Sequence, residues 1–494
     1  MVDAAAHADV LIIGCGPAGA SAAIAAHDQG ADVLVVEKRL ESGGNAAFAG
    51  GFLWDVRGDE AVRHVETLFF GKTDRSVAEA YVSGLGELRS WIGKLGGEAV
   101  DVEPPPRSFP AVLPSWPHVP GSDGVRYWVV GGHPDLRRGE VLWRLLAQNL
   151  ATRRISVRPG HAAVSLTVSG DGRVSGAVVT SGPDTQVVTA SRGVVLACGG
   201  FEADEYFKDA FLPVGSLGRV GHEGNTGDAI RMAMQVGGAL WHMSEFFGWY
   251  AYQAADYDAA FAIDFHGPAF VLVNAAGQRF GDETGYEVHE RLRALVNVKP
   301  SAHYHPVLPA YGICDGTTLR AGALNGVVGT PNDYRWSADN LAEVRQGWIT
   351  RSASPAVLAE RLGLDPAVLS RTLSRFNAAA AAGRDEDFGR RAESMAVLDL
   401  TDLYAIELWP AAATTSGGPR RDALARVVRP DGTPVPGLYA AGGAGTVWGP
   451  FTHSGGGLTD ALVFGRLAGQ HAAQSRTDGR RRRAEGNSGG QAGS

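Results

Sequence analysis

Cysteine is nearly absent from this chain. Its 494 residues include three, Cys15, Cys198 and Cys314. They lie too far apart for a metal-binding pair or a disulfide framework, and such sparing use fits a reducing compartment, the cytoplasm. Long apolar runs are missing too. None reaches the ~18 residues of a membrane-spanning helix, so no membrane association is expected. No basic segment precedes the first apolar stretch, Val10–Ile13, and glycines follow it at once, so no signal peptide is expected. Positive charge is not in excess. The 45 Lys and Arg against 53 Asp and Glu leave a net charge of −8, which argues against nucleic acid as a partner. The exception is Arg480–Arg483, which runs into a Gly/Ser-rich end. Residues 475–494 read as a disordered tail, with a basic partner patch as the alternative reading. Clustered metal ligands are lacking as well. His303 and His305 have no third ligand near them, so no metal is expected.

What remains is ample for a large fold. A hydrophobic share of 45% supports sizeable cores, and the length suits two to four lobes of roughly 100–200 residues. Val10–Ile13 reads as a strand, Gly14-Cys15-Gly16-Pro17-Ala18-Gly19 as a turn, Ala20–Asp28 as a helix and Val33–Val36 as a second strand ending at Glu37. This is a strand–glycine turn–helix–strand unit with an acid about twenty residues past the glycines, the pattern of a dinucleotide site. Gly14 allows the tight turn, Gly16 lets amides approach a pyrophosphate, and Gly19 lets helix and strand pack closely. The helix N-terminus faces the anion. Glu37 accepts hydrogen bonds from ribose hydroxyls.

Further helices are expected at 68–95, 140–150, 229–236, 355–382 and 458–473. Strands are expected at 164–168, 174–180, 186–189 and 193–197. Aromatics, glycine and proline become dense from Leu240 to Trp409, and the strand–glycine texture returns at Leu438–Gly443. The expected layout is therefore an α/β chain: a Rossmann-type dinucleotide-binding unit at 8–239, an inserted domain at 240–409, and a return to the first unit at 410–474. FAD is favoured over NAD by the second glycine loop, Ser42-Gly43-Gly44-Asn45 with Gly50-Gly51, and by the late turn at Gly442-Gly443. A plain NAD domain requires neither.

These motifs together resemble the fumarate reductase/succinate dehydrogenase flavoprotein family, which includes 3-ketosteroid Δ1-dehydrogenases and tricarballylate dehydrogenase. The resemblance rests on Gly14–Gly19, Glu37-Lys38, Ser42–Asn45, Ala197–Phe201, Asn225-Thr226-Gly227-Asp228 and Leu438–Gly443. Leu272–Phe280 looks like that family's hairpin, and Gly455–Thr459 like its final loop. The resemblance spans about Ala8 to Ala473. It implies a bipartite Rossmann-type FAD-binding domain (8–239 and 410–474) with an inserted α+β capping domain (240–409), hydride exchange with flavin N5 and proton transfer at the adjacent carbon. The implied FAD-binding set is Gly14, Gly16, Ala18, Gly19, Glu37, Lys38, Ser42, Gly43, Gly44, Asn45, Gly50, Gly51, Ala163, Ala197, Gly199, Asn225, Thr226, Gly227, Asp228, Gly442, Gly457, Leu458 and Thr459. Where covalent members carry a histidine, this chain reads Asn45-Ala46-Ala47-Phe48, so noncovalent FAD is expected.

The chain departs from the dicarboxylate enzymes. Their proton-donor arginine falls near Glu287 and their carboxylate-binding arginine near Thr452. A desolvated carboxylate needs a paired cation, so a neutral or singly charged substrate bearing a carbonyl is expected. The proposed reaction is α,β-dehydrogenation of a ketone or acid, with an unidentified electron acceptor or donor. Alternatives are reduction of an activated C=C bond, a flavin oxidase, or a non-catalytic flavin-binding protein. Candidate catalytic groups are His453 and the Gly456 N–H for the carbonyl, and Tyr250, Glu287 and His289 for the proton, with Tyr286 beside them.

Overall fold

The computed structural model describes residues 3–102, 116–132, 138–214, 217–285, 287, 291–296, 307–325, 329 and 331–475. The first unit is built on β1 (Asp3–Ile13), α1 (Pro17–Asp28) and β2 (Val33–Glu37). β1 lies between β2 and the strand Asp184–Leu196, parallel to both. Val10 to Ile13 are buried on both faces, as a parallel strand covered on each side requires. Val10 and Ile12 join one apolar cluster while Leu11 and Ile13 join another, the alternation a strand imposes. Pro434–Ala440 adds to the same sheet, parallel to Asp184–Leu196. The sheet is thus completed by a segment more than 200 residues downstream, and the α/β Rossmann-type architecture is bipartite.

α1 is rich in alanine because it is enclosed. Ten of its twelve residues are buried, and the C-terminal helix Gly456–Gln474 lies against it. That approach is backbone-close: a Cβ on Gly469 would stand 2.1 Å from the Ala22 carbonyl oxygen. Antiparallel strands Ala162–Val168 and Val174–Ser181 join the same sheet through the first half of Asp184–Leu196. The expected strands at 186–189 and 193–197 are one continuous strand. The expected helix at 68–95 is two, Ala61–Phe69 and Arg75–Lys94, broken where Phe70 takes φ +54°. The stretch 355–382 is likewise two helices, divided at left-handed Gly363 and restarted at Pro366.

The middle segment forms a seven-stranded sheet around the long strand Leu403–Thr415. Its strands are mostly antiparallel, and helices Pro355–Leu362 and Pro366–Ala382 pack on it, so this part is α+β. It draws in Gly218–Arg219 and reaches Thr415, a wider span than 240–409. A buried ion-pair network of Arg279, Glu283, Asp385 and Arg390 ties its hairpin to the segment after the second helix. Residues 476–494 lie outside the described part. Among the described residues, no helix is long and apolar enough to cross a membrane, and the three cysteines are free.

Candidate active site

A cavity of about 890 Å³ runs between the two units. Its first wall is made of the glycine motifs. Gly14 leaves β1 with φ +101°, where a Cβ would meet the Ala197 carbonyl at 2.5 Å, and a Cβ on Gly19 would stand 1.9 Å from the Gly14 oxygen. The turn therefore tolerates no side chain at either position. Glu37 fixes the turn from β2: its carboxylate accepts the Cys15 N–H at 2.8 Å and the Arg39 N–H at 2.9 Å. It still faces the cavity. Lys38 donates to Thr226 Oγ1 at 2.6 Å and to Asp228 at 2.8 Å, closing the ring of motifs at this end.

Sixteen residues of the expected cofactor set line the cavity: Gly14, Gly16, Ala18, Glu37, Lys38, Gly44, Asn45, Gly50, Gly51, Ala163, Ala197, Gly199, Asn225, Asp228, Gly457 and Leu458. The others stand behind the wall. Gly19 and Gly442 allow close packing, Gly43 donates to the Cys15 carbonyl and Gly227 to that of Gly200, and Thr226 holds Lys38. Ser42 lies beside Gly43. Thr459 is fully buried and bonded to Tyr81 at 2.6 Å.

Glu202 was not singled out from the sequence. It is fully buried and receives the side-chain amides of Asn45 at 2.9 Å and Asn225 at 2.6 Å, with the Thr415 hydroxyl at 3.3 Å. Burial pushes its carboxyl above the usual range, while those donors pull the other way. One acid thus clamps the second glycine loop, the Asn225 turn and the long middle strand together. A lone acid after Gly199-Gly200-Phe201 was its only trace in the sequence.

The final loop meets the middle segment at the far end. His453 lines the cavity but is only 1% exposed. Its Nε2 lies 2.8 Å from His64 Nε2, and its Nδ1 2.7 Å from the Tyr127 hydroxyl. His64 Nδ1 donates to the Pro120 carbonyl at 2.8 Å. In neutral rings that bond fixes the rest: His453 Nε2–H donates to His64, and Tyr127 donates to His453 Nδ1. Burial, then the His64 ring, holds the His453 pKa well below its ordinary value. Both nitrogens are committed to protein, so the ring does not offer a donor to a substrate carbonyl, contrary to expectation. Gly456 is corrected in the same way. Its N–H closes a turn onto the His453 carbonyl at 2.8 Å. The next amides, Gly457 and Leu458, open the C-terminal helix, line the cavity and have no protein acceptor among the described residues.

Tyr250 also moves. It points into the apolar interior of the middle segment with Phe261 and Leu408, while its strand neighbours Phe247 and Trp249 face the cavity. Period-two alternation decides this. Glu287 is 3% exposed and accepts the Ser454 hydroxyl at 2.7 Å, and Ser454 lines the cavity. His289, Tyr286, His303 and His305 lie outside the described residues.

The chain matches the family model described as FAD binding domain over residues 9–458. It belongs to that family. It is therefore an FAD-binding flavoprotein of an oxidoreductase family, and the cradle of glycines, helix-end amides and Glu37 fits the cofactor. The 3-oxosteroid 1-dehydrogenase of Mycobacterium tuberculosis (strain ATCC 25618 / H37Rv) is 27% identical over 94% of this chain and 98% of its own. The NADH:fumarate oxidoreductase of Klebsiella pneumoniae (strain 342) is also 27% identical over 94% of this chain, which spans about half (48%) of that longer protein. Among solved structures, 3-ketosteroid Δ1-dehydrogenase from Sterolibacterium denitrificans, in complex with 1,4-androstadiene-3,17-dione, superposes with a TM-score of 0.83 at 23% identity. The match covers 95% of this chain and 100% of that one.

Proposed function

We propose that this flavoenzyme exchanges hydrogen across a CH–CH bond next to a carbonyl, with FAD bound noncovalently. Bound FAD supplies the hydride acceptor or donor. The chain's own part is to hold the substrate, exclude water and move one proton. The observation that carries the reading is the Glu287–Ser454 bond at 2.7 Å, made where the final loop meets the middle segment. Ser454 offers a hydroxyl to the cavity, and Glu287 behind it takes or returns the proton. The Gly457 and Leu458 amides supply donors where negative charge develops. The middle segment is read as a cap: Phe247 and Trp249 give the opposite wall an apolar, aromatic surface. Relatives named for acting on 3-oxosteroids, on 4-oxocyclohexanecarboxylate and on fumarate support a CH–CH reaction beside a carbonyl group. The same groups serve either direction; the flavin's potential and its redox partner set which runs.

Anaerobic spectroscopy tests this. A panel of cyclic ketones should include at least one that bleaches the flavin, or the matching enones should reoxidise dithionite-reduced enzyme. No spectral response to either series overturns the reading.

A further inference from the structure

His222 brings to the cofactor end of the cavity a donor that no protein group takes. The chain leaves the short strand Gly218–Arg219 beside the long middle strand, where the Val220 N–H donates to the Ala412 carbonyl at 2.8 Å. It then turns at His222, which lines the cavity and is half-buried. His222 is fixed twice. Its backbone N–H donates to Asn45 Oδ1 at 2.6 Å, and its Nδ1 accepts the Gly224 N–H at 2.9 Å. In the neutral ring that second bond leaves the proton on Nε2, and Nε2 has no protein partner among the described residues. Asn45 itself donates to Glu202 at 2.9 Å and to the Ala413 carbonyl at 3.0 Å, so the Glu202 clamp also sets the place of this ring.

That place is where the two glycine turns meet. A Cβ on Gly44, the residue before Asn45, would stand 3.9 Å from the Gly16 Cα, and the Gly43 N–H donates to the Cys15 carbonyl at 2.9 Å. The amides of this junction suit a pyrophosphate, but they bring only partial charges to a doubly negative group. The lysine and arginine that line the cavity are engaged elsewhere. Lys38 is bonded to Thr226 and Asp228, and Arg138 lies over the Phe52 ring at 5.3 Å. Phe52 belongs to the far end, its carbonyl against Gly455 of the final loop.

We propose that His222 is a cofactor-binding residue whose Nε2–H donates to the pyrophosphate of FAD, the ring becoming an imidazolium when that anion is bound. It lies outside the cofactor set expected from the sequence, and it does not depend on the reaction proposed above. Without the anion, burial holds the His222 pKa below its ordinary value. Glu37 and Glu223 favour the charged ring, while Arg39 and Arg219 oppose it. Arg39 is paired with Glu223, and Arg219 donates to the Gly221 carbonyl at 2.6 Å. A phosphate beside the ring favours its charged form. Binding therefore takes up a proton, and FAD is held more tightly as pH falls.

Release of FAD from the diluted holoenzyme, followed by the return of flavin fluorescence, tests the assignment in wild type and in His222→Asn. Asparagine can keep the bond from the Gly224 N–H, two residues on, but carries no ionisable ring. At pH 6.5 the variant should release FAD at least about tenfold faster. Wild-type release should slow from pH 8.5 to pH 6.5, and the variant should lose that dependence. In phosphorus NMR spectra of the holoenzyme, the pyrophosphate resonances should move over the same range in wild type and stay fixed in the variant. Equal release rates, or the same pH dependence in both proteins, would overturn the proposal. So would a faster release that is uniform in pH with resonances unmoved in both, which would leave His222 a wall residue. If the variant does not fold, wild type alone decides: release and resonances that do not change between pH 8.5 and pH 6.5 overturn it.

Discussion

His453 and Ser454 are adjacent in the chain and line the same cavity, yet they belong to different networks. His453 is held from both sides within the first unit, by His64 and Tyr127, and packs on Trp54 with ring centroids 4.3 Å apart. Ser454 reaches across to Glu287 of the middle segment. The first network is closed: every ring nitrogen has a protein partner. The second joins the two units and places a hydroxyl in the cavity. A histidine beside a glycine loop suggests acid–base chemistry by its nature, but its bonds decide whether that chemistry is accessible.

This contrast can be broken from either side. The largest expected effect falls on the open network: Ser454→Ala should slow flavin reduction by about 10²-fold or more, with FAD retained. Stopped-flow absorbance at the flavin band measures it, and an unchanged rate would sever Ser454 from the chemistry. On the closed network, His453→Ala should act on stability. It orphans the buried His64 Nε2 and removes one bond of the Tyr127 hydroxyl, at about 1–3 kcal/mol for the partner left unmade, read as a lowered denaturation midpoint.

The closed network also sets an acid limit. His453 and His64 have folded pKa values below the ordinary 6.5, with burial the first cause. The unfolded chain therefore binds more protons below that value. Stability should fall as pH drops through about 6.5 and be unaffected above it. Thermal melts from pH 8 to pH 5 on wild type and His64→Gln should show a shallower acid decline in the variant; parallel curves would contradict this. Glu202 shifts upward and acts in the opposite sense as pH rises through the carboxylate range. The smallest effect is expected at Tyr250→Phe, whose ring belongs to the apolar interior: turnover should stay within about threefold of wild type, well short of the loss of a general base.

The first wall was largely legible in the sequence, and the second was not. Gly14, Gly16 and Glu37 reveal themselves because backbone geometry and charge demand those residues at that spacing. Glu202 and Trp249 act through contacts between segments far apart in the chain, and local spacing carries no record of such contacts. At His453, Gly456 and Tyr250 proximity to a motif suggests one role, while burial and partner bonds, which only the fold supplies, point to another.

The central claim is that Glu287, acting through Ser454, handles the proton while His453 is structural. Anaerobic flavin reduction by one active ketone, measured side by side in Glu287→Gln and His453→Gln loaded with FAD, tests it most directly. The account predicts a fall of about 10²–10⁴-fold in Glu287→Gln and a rate within about tenfold of wild type in His453→Gln. A near-normal rate in Glu287→Gln with a collapsed rate in His453→Gln would contradict it.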